Sequence, residues 1–503
     1  MIVRFLLAIT SGALFAFAFP NVAQGWLAFV ALAPLLVAVI RAPHSKEAFF
    51  LGWSSQTAAW LLMVPWVVRV MSHYGGLPYV VGVLLFVAMA LILGLYGGLF
   101  AFIVKRLGLS ARFVPWLAVP LAWAAIEYFR TYFLTGFPWN LIATALIDYP
   151  SLVQIDRFAG PYFLGALLVL PATVLAWLVT QRVPPIARVM VIGTLGIVIL
   201  VWWGTGLVAA KLIVRPRGAA TVSAALLQPN ISQEMRWDEQ NVIRIYQKMI
   251  GMTVEAAERG AKVVVWPEST VPLSYTETHF YRSEIEELSR RYGIDIILGS
   301  VATDPANANR LWNSAFLVSG GRTIGHYDKI RLVPFGEYVP LRRMLFFAEK
   351  LVHAVGEFEF GTNDDPLRGK LVYGPAICYE IVYPQIARTQ VKNGADVLVT
   401  ITNDAWYDGT SAPAQHLWQA RMRAVEDDRY LLRSATTGIS AFVDPTGQMQ
   451  SWIPMGKDAI IYAKFEPRTT ETGYVRFGDW FAWVACGAVL MALLRAGRSR
   501  RAV

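Results

Sequence analysis

The sequence predicts a polytopic α-helical membrane domain of about eight spans, joined to an extracytoplasmic α/β domain. Of the 503 residues, 55% are hydrophobic and 16% are charged, which is too apolar a balance for an ordinary soluble protein. Long apolar runs occupy the first part of the chain and its C-terminal end, whereas the middle alternates short strand-like and helix-like segments. We therefore expect several membrane spans and one water-exposed domain.

Eight apolar runs reach or approach the length of about 20 helical residues that crosses a bilayer. We predict spans at 5–19, 26–40, 50–70, 79–104, 114–128, 162–180, 189–208 and 480–494. The first run could instead be a signal peptide, because residues 16–18 (AFA) resemble a cleavage site, but Pro20 and the lack of a polar stretch argue against cleavage. Either choice leaves every later loop on the same side of the membrane.

The positions of Lys and Arg predict the orientation of these spans. Basic residues follow the second, fourth and sixth runs, whereas the short loops 20–24 and 72–77 carry none. Because basic loops stay in the cytoplasm, the segment after residue 208 is expected outside it. Four arginines within residues 495–501 predict a cytoplasmic C-terminus. The net charge of +10 thus reflects topology anchors in large part, and no nucleic-acid partner is expected.

Four segments follow from these patterns. They are 1–210 with transmembrane helices 1–7, a basic linker at 211–218, an α/β domain at 219–468, and an eighth span with a basic tail at 469–503. Within the α/β domain, strands are predicted at 221–227, 262–266, 295–299, 314–318, 371–377, 397–401 and 439–443. Helices are predicted at 239–259, 280–292, 381–392 and 414–429.

Three stretches of the α/β domain carry reactive side chains at strand ends or in loops. Glu268 ends the apolar run that starts at Val263, Lys329 lies in the irregular segment 327–338, and Cys378 ends the run 371–377. A lone Cys is more often a buried structural residue, but a Cys at a strand-to-turn corner can also be a nucleophile. A carboxylate can take the thiol proton while an ammonium holds the developing oxyanion, so this set suits acyl transfer.

In this order the three motifs resemble the nitrilase (carbon–nitrogen hydrolase) superfamily, over roughly residues 219–465. The Glu–Lys–Cys triad of that superfamily matches Glu268, Lys329 and Cys378. The resemblance implies a four-layer αββα sandwich with these three residues at its catalytic centre.

Four further residues are expected to support the triad. The resemblance places Glu337 beside the thiol, where it orients the triad; an ion pair with Arg331 or Lys329 is the alternative. The N–H of Tyr379, next to the nucleophile, is a reasonable second oxyanion donor. Glu380 and Asn313 are expected to hold the loops that carry the Cys and the Lys.

Together with the spans, the chain resembles the apolipoprotein N-acyltransferase family over nearly its whole length. That resemblance implies a ping-pong N-acyltransferase. Cys378 would take an acyl chain from a phospholipid as a thioester, and the N-terminal amine of the diacylglyceryl-cysteine of an apolipoprotein would receive it. It also implies the bacterial inner membrane, with the catalytic domain in the periplasm. No cofactor and no metal are expected, and a monomer is assumed. The alternative is a membrane-tethered nitrilase-type amidase or hydrolase.

Five large side chains are predicted to bind lipid: Trp237, Trp139, Met344, Phe346 and Phe347. The first resembles a family position on a flap over the site. The last three lie in the segment 340–347, which combines two Arg with apolar residues and suits a membrane surface, although a short core helix fits equally. The aromatic turn 136–140 is open between an interfacial belt and a flap beside a lipid groove.

Two remaining residues receive structural interpretations. Cys486, the second of the two cysteines, lies within the last apolar run and is interpreted as packing against lipid. His416 has no partner at catalytic spacing in the sequence, so we interpret it as structural.

Overall fold

The computed structural model describes residues 1–108, 114–215, 218, 220–304, 306–338 and 358–499. The chain forms two compact units. One consists of Met1–Ser72, Leu77–Leu212 and Phe477–Val503, and the other of His73–Gly76 and Ile213–Arg476.

The first unit is helical. Its principal helices are Ile2–Phe17, Ala33–Arg41, Ser45–Met63, Tyr79–Leu107, Val114–Tyr132, Pro161–Thr180, Pro185–Ile213 and Trp480–Ser499. Shorter helical segments are Gly25–Phe29, Trp66–Arg69, Val70–Tyr74, Ile142–Leu146, Pro150–Val153 and Asp156–Ala159. Each predicted apolar run overlaps a helix, although two runs are divided. The run 26–40 is divided between Gly25–Phe29 and Ala33–Arg41, and the run 50–70 is divided among Ser45–Met63, Trp66–Arg69 and Val70–Tyr74.

Three described helices are long and apolar enough to cross a membrane: Tyr79–Leu107, Pro161–Thr180 and Pro185–Ile213. Shorter apolar helices are Ile2–Phe17, Gly25–Arg41 and Trp480–Ala496. The helix Pro185–Ile213 continues beyond residue 210, so the first residues of the predicted linker 211–218 are helical. Its apolar side chains face outward, Val189 and Leu200 among them, as expected of a helix whose surroundings are lipid.

Small residues let two of these helices approach closely. A Cβ on Gly52, in the helix Ser45–Met63, would clash with the carbonyl oxygen of Gly97, in the helix Tyr79–Leu107. A Cβ on Gly97 would lie 2.7 Å from the carbonyl oxygen of Gly52. Backbone contact of this kind is the usual way for helices to associate in lipid, where the hydrophobic effect supplies no attraction between them.

The second unit contains, in its described part, two six-stranded sheets. Their strands are β1 Val222–Gln228, β2 Val263–Val265, β3 Asp295–Asp304, β4 Asn307–Ser319, β5 Arg322–Asp328, β6 Leu367–Arg368, β7 Val372–Ile377, β8 Val397–Thr402, β9 Leu431–Ala435, β10 Ser440–Val443, β11 Met449–Ile453 and β12 Ala459–Phe465. The strand orders are β12-β1-β2-β3-β4-β5 and β11-β10-β9-β8-β7-β6. In each sheet three neighbouring strands are parallel, β1-β2-β3 in one and β7-β8-β9 in the other.

Helices cover the outer faces of both sheets. They are Val242–Glu258 and His279–Tyr292 on the first sheet, and Pro384–Lys392 and Ala412–Asp427 on the second. The shorter helical segments of this unit are Gln233–Trp237, Glu239–Asn241, Cys378–Val382, Asp404–Tyr407 and Gly473–Phe477. Alternate residues of β1 serve two cores, because Ala224 and Leu226 pack between the sheets while Ala225 and Leu227 pack under the outer helices. The result is the αββα layering expected from the nitrilase resemblance.

The predicted elements of this unit are present, with two kinds of correction. The helix predicted at 381–392 is interrupted, because a 3₁₀ helix covers Cys378–Val382 and the α-helix begins only at Pro384, a residue favoured in a first turn. Five strands were not predicted: β5, β6, β9, β11 and β12.

Candidate active site

Polar side chains gather where strands of both sheets reach their carboxyl ends. Glu268 lies three residues beyond β2, Lys329 directly follows β5, and Cys378 directly follows β7. Gly299 on β3 makes room for the first of them, because a Cβ there would lie only 2.7 Å from the Glu268 Cα. The contacts described next join these strand ends into one site.

Glu268 is a buried carboxylate with hydrogen bonds to both oxygens. Its Oε1 accepts from Asn313 Nδ2 at 2.7 Å and from Lys329 Nζ at 3.3 Å, and its Oε2 accepts from the Asn403 N–H at 2.8 Å. Burial raises the pKa of Glu268, but the Lys329 charge and these hydrogen bonds outweigh burial and lower the pKa below its usual value. Glu268 is therefore ionised at neutral pH.

Lys329 lies between two carboxylates. Its Nζ donates to Glu337 Oε1 at 2.9 Å as well as to Glu268, and 1% of its side chain is exposed. Burial lowers the pKa of Lys329, but the two carboxylates outweigh it and raise the pKa well above its usual value. Asn313 Nδ2 also donates to Glu337 Oε1 at 2.9 Å, so four side chains form one buried network that fixes the ammonium.

Cys378 occupies a strained corner between β7 and the 3₁₀ helix Cys378–Val382. Its φ of 52° lies in the left-handed region, which costs a residue other than glycine about 1–3 kcal/mol. Ser269, next to Glu268, and Phe335, in the loop after Lys329, also have positive φ. Such strain persists only where surrounding contacts hold the backbone, and here it collects around the reactive side chains.

Glu380 secures this corner. Its carboxylate accepts four hydrogen bonds at 2.6 to 3.1 Å, from the N–H groups of Ile377, Ile330 and Arg331 and from the hydroxyl of Tyr327. Burial raises the pKa of Glu380 to about 7, against the effect of these donors. One side chain thus ties the end of β7 to the loop that begins at Lys329.

The Cys378 thiol is buried and uncharged at neutral pH. Burial raises its pKa and the negative charge of Glu268 raises it further, while the positive charge of Lys329 lowers it. The proton therefore rests on sulfur, and an ionised carboxylate stands near it as an acceptor. A thiol, a base and a fixed ammonium can together perform acyl transfer through a thioester.

Comparison with known proteins shows the family to which the chain belongs. The family model of the carbon–nitrogen hydrolases matches residues 223–474, and that of the apolipoprotein N-acyltransferase N-terminal domain matches residues 11–174. The apolipoprotein N-acyltransferase of Geobacter metallireducens is 35% identical over 500 residues, which cover 97% of this chain and 95% of that protein. The chain belongs to the apolipoprotein N-acyltransferase family. The resemblance predicted from the sequence is confirmed, and so is the carbon–nitrogen hydrolase fold of the α/β unit.

Other relatives span the chain to a similar extent. The apolipoprotein N-acyltransferase of Azotobacter vinelandii is 31% identical over 512 residues, covering 99% of this chain and 95% of that protein. Among solved structures, an amidase of Nesterenkonia AN1 from the nitrilase superfamily is 20% identical and covers 52% of this chain and 96% of that chain, with a TM-score of 0.40.

In this member of the apolipoprotein N-acyltransferase family, the structure brings together most of the predicted site residues. Glu337 contacts Lys329 and Asn313, and its Oε2 accepts from the Val333 N–H at 2.8 Å. It therefore makes the ion pair and also fixes the loop. The Tyr379 ring is buried and packs edge-to-face on Tyr383, with ring centroids 5.3 Å apart.

Two contacts at the site were missed in the sequence. Asn403 donates its backbone N–H to Glu268, and His416 Nε2 lies 3.0 Å from the carbonyl oxygen of Cys378. Both contacts use backbone atoms, which any residue type offers, so no side-chain motif marks them. The one available signal was the position of Asn403 directly after β8, where a parallel strand ends beside β7.

The predicted lipid-binding side chains either lie outside the described part of the chain or are buried. Met344, Phe346 and Phe347 lie outside the described residues, and so does the side chain of Trp237, whose backbone ends the helix Gln233–Trp237. Trp139 is 3% exposed, and its ring packs against those of Trp66 and Phe137 within the helical unit. As packed here, Trp139 offers almost no surface to a lipid, because neighbouring aromatic rings cover it.

Proposed function

We propose that this chain transfers an acyl chain from a phospholipid, through a thioester on Cys378, to the N-terminal amine of the diacylglyceryl-cysteine of apolipoproteins. The observation that carries the proposal is the convergence of Glu268, Lys329 and the thiol in a chain similar along its whole length to proteins named apolipoprotein N-acyltransferases.

The first half-reaction forms the acyl-enzyme. As the Cys378 sulfur attacks the ester carbonyl, its proton moves to Glu268, and the carbonyl oxygen becomes an oxyanion that faces the Lys329 ammonium and the Tyr379 N–H. Collapse of the tetrahedral intermediate breaks the ester C–O bond, and the proton passes from Glu268 to the departing alkoxide. The products are the thioester and a lysophospholipid.

The second half-reaction forms an amide. The free amine attacks the thioester carbonyl, Glu268 accepts a proton from the amine, and the same two donors face the new oxyanion. Cleavage of the C–S bond releases the acylated lipoprotein, and the proton returns to Cys378. Glu337 and Asn313 keep Lys329 and Glu268 in register through both steps, and Glu380 holds the loops that carry them.

We further propose that all eight apolar runs cross a bacterial inner membrane, with the α/β domain in the periplasm and the C-terminus in the cytoplasm. The helix found at each run and the alternation of basic and neutral loops support this topology. Reporter fusions after residues 112 and 188 should read cytoplasmic, and fusions within 220–470 periplasmic. A cytoplasmic reading from the α/β domain would contradict both the compartment and the acceptor.

Mass spectrometry of the purified protein in phospholipid vesicles tests the reaction. With phospholipid alone, an acyl adduct should accumulate on Cys378, since an intermediate that must wait for an amine has to survive water. A diacylated lipopeptide with a free N-terminal amine should discharge it, and the same lipopeptide with an acetylated amine should not. Cys486→Ala is the matched control and should keep the adduct, whereas Cys378→Ala should lose it. Rapid release of free fatty acid without lipopeptide would instead identify the hydrolase alternative.

A further inference from the structure

A buried histidine holds the backbone of the candidate nucleophile. His416 lies in the helix Ala412–Asp427, is 2% exposed, and places Nε2 3.0 Å from the Cys378 carbonyl oxygen. A carbonyl oxygen only accepts hydrogen bonds, so this contact requires the hydrogen on Nε2. His416 is therefore a donor to the main chain of the residue that carries the thiol.

An ion pair fixes the other side of the imidazole. With the hydrogen on Nε2, Nδ1 of the neutral ring is an acceptor, and Arg433 Nη2 donates to it at 3.2 Å. Arg433 Nη2 also donates to Asp404 Oδ2 at 2.7 Å, so Asp404 supports the imidazole by holding the guanidinium. Thr402 Oγ1 donates to Asp404 Oδ1, and Arg433 Nε donates to the Ile439 carbonyl oxygen. Burial opposes ionisation of Asp404, but Arg433 and the neighbouring donors outweigh it and lower its pKa to about 2. The imidazole thus has a rigid, charged support.

The geometry of the peptide bond transmits this anchor toward the substrate. The Cys378 carbonyl and the Tyr379 N–H belong to one planar trans unit, in which C=O and N–H point in opposite directions. A bond that fixes the carbonyl toward His416 therefore fixes the direction of the Tyr379 N–H. A φ of 52° is unfavourable for Cys378, so the local backbone does not favour this conformation by itself. Contacts with other parts of the fold therefore have to stabilise it.

We propose that His416, supported by Asp404 and Arg433, is a positioning residue that aims the Tyr379 N–H at the oxyanion of acyl transfer. The inference rests on the proposed function, in which that N–H is an oxyanion donor. His416 takes no proton from the substrate and does not contact it; it acts through the peptide unit that follows the nucleophile.

Two reactions of the same thiol separate positioning from simple structural support. Acylation by an ester passes through an oxyanion and depends on its donors. Alkylation by iodoacetamide does not, because sulfur displaces iodide at a saturated carbon: a C–S bond forms as the C–I bond breaks, and the thiol proton is lost to water. A misaimed N–H should slow acylation alone, whereas a misplaced thiol should slow both reactions.

The experiment uses the full chain in phospholipid vesicles. His416→Ala should lower the single-turnover rate of acyl-enzyme formation by about 10², the lower end of the loss on removing an oxyanion donor, with little change in the alkylation rate of Cys378. His416→Gln should recover much of the acylation rate, since its amide nitrogen can donate to the same carbonyl. His279→Gln, at an exposed histidine outside the site, should match wild type in both reactions.

Three outcomes overturn the inference: wild-type acylation in His416→Ala, equal losses of acylation and alkylation, or no recovery in His416→Gln when its alkylation is normal. The alkylation rate also reports whether each variant has folded around the thiol. Failure of the proposed function is distinguishable, because the wild-type protein would then either form no acyl-enzyme or release free fatty acid without lipopeptide.

Discussion

Both units of this protein bury a carboxylate near a cation, Glu127 with Arg130 among the helices and Glu268 with Lys329 in the α/β unit. Arg130 Nη2 lies 3.8 Å from Glu127 Oε1, and its Nη1 donates to the carbonyl oxygens of Phe137 and Trp139 at 2.7 and 2.9 Å. Glu127 Oε1 accepts from the N–H of Ile142 at 2.8 Å. Both charged side chains thus serve the backbone of the segment 137–142.

The pair in the α/β unit is used differently. Lys329 donates to two carboxylates, and those carboxylates accept from Asn313 and from backbone N–H groups, so the bonds converge around a thiol. A buried ion pair by itself therefore says little about function, because either arrangement compensates the desolvation of its charges. The hydrogen-bond partners distinguish the two pairs. Charges that bond to the backbone of one segment hold that segment, and charges that converge beside a nucleophile can act on it.

The largest effect should come from neutralising the carboxylate in each region. Glu268→Gln removes the base, so acyl-enzyme formation should fall by about 10²–10⁴ in single-turnover mass spectrometry. Glu127→Gln keeps an acceptor for the Ile142 N–H and should form the acyl-enzyme at the wild-type rate. Comparable losses in both variants would remove the distinction between the two regions.

A third carboxylate should disrupt the convergent site more than a missing side chain does. Asn313→Asp places an acceptor where Asn313 donates to Glu268 and Glu337, so like charges would meet in a buried space. Asn313→Ala only deprives those carboxylates of donors, at about 1–3 kcal/mol for each unsatisfied group. Thermal unfolding should rank wild type above Asn313→Ala and that above Asn313→Asp. If the Asn313→Asp protein were as stable as wild type, Glu268 and Glu337 could not both carry the negative charge that their contacts with Lys329 and Asn313 imply.

Glu380 belongs with the loop-holding charges although it lies at the site. Glu380→Gln turns one acceptor oxygen into a donor that faces N–H or O–H groups, which should destabilise the fold by about 1–3 kcal/mol. Acylation should fall as well, because Glu380 ties the Lys329 loop to the Cys378 corner. The midpoint of thermal unfolding and the single-turnover acylation rate measure the two effects. Unchanged values would show that Glu380 does not hold the Lys329 loop against the Cys378 corner.

The smallest effect concerns the pH dependence of the thiol. Because burial and Glu268 raise the pKa of Cys378, its alkylation by iodoacetamide should still be rising with pH above the usual thiol value of about 8.5. Glu268→Gln removes a negative charge, which lowers the thiol pKa and should speed alkylation at a given pH while acylation is slowed. A wild-type plateau near the usual value would contradict the raised pKa, and slower alkylation in the variant would contradict the assigned effect of Glu268.

Much of the fold and the reactive set could be predicted from the sequence, because both depend on local patterns. Glu268 and Cys378 each end or follow an apolar run, so for these two residues the strand ends and the side-chain chemistry indicated the same positions, whereas Lys329 was found by its place in an irregular segment. Two of the unpredicted strands lack that pattern. β5 is a polar strand at the edge of its sheet, and β9 is fully buried yet contains Arg433 and Ser434, whose polar groups bond to neighbouring segments. Such strands depend on tertiary contacts, so hydrophobic periodicity in the sequence does not predict them.

The supporting residues mark a second limit. His416 and Asn403 reach the site through a carbonyl and an N–H group, so nothing in their spacing reveals the contact. For Trp139, predicted to bind lipid, the structure shows a ring packed against those of Trp66 and Phe137, a contact that the aromatic turn alone does not reveal. Residue type indicated Glu268, Lys329 and Asn313, which meet through their side chains, whereas the contacts that His416 and Asn403 make through main-chain atoms left no such signal.

The division of the site between two sheets also bears on how the protein is made. Glu268, Asn313 and Lys329 belong to the first sheet, whereas Cys378 and Asn403 follow strands of the second. A nascent chain that has formed only one sheet holds a thiol without its base, or a base without its thiol. Acyl transfer therefore requires both sheets to be in place, because neither sheet alone carries the base together with the thiol.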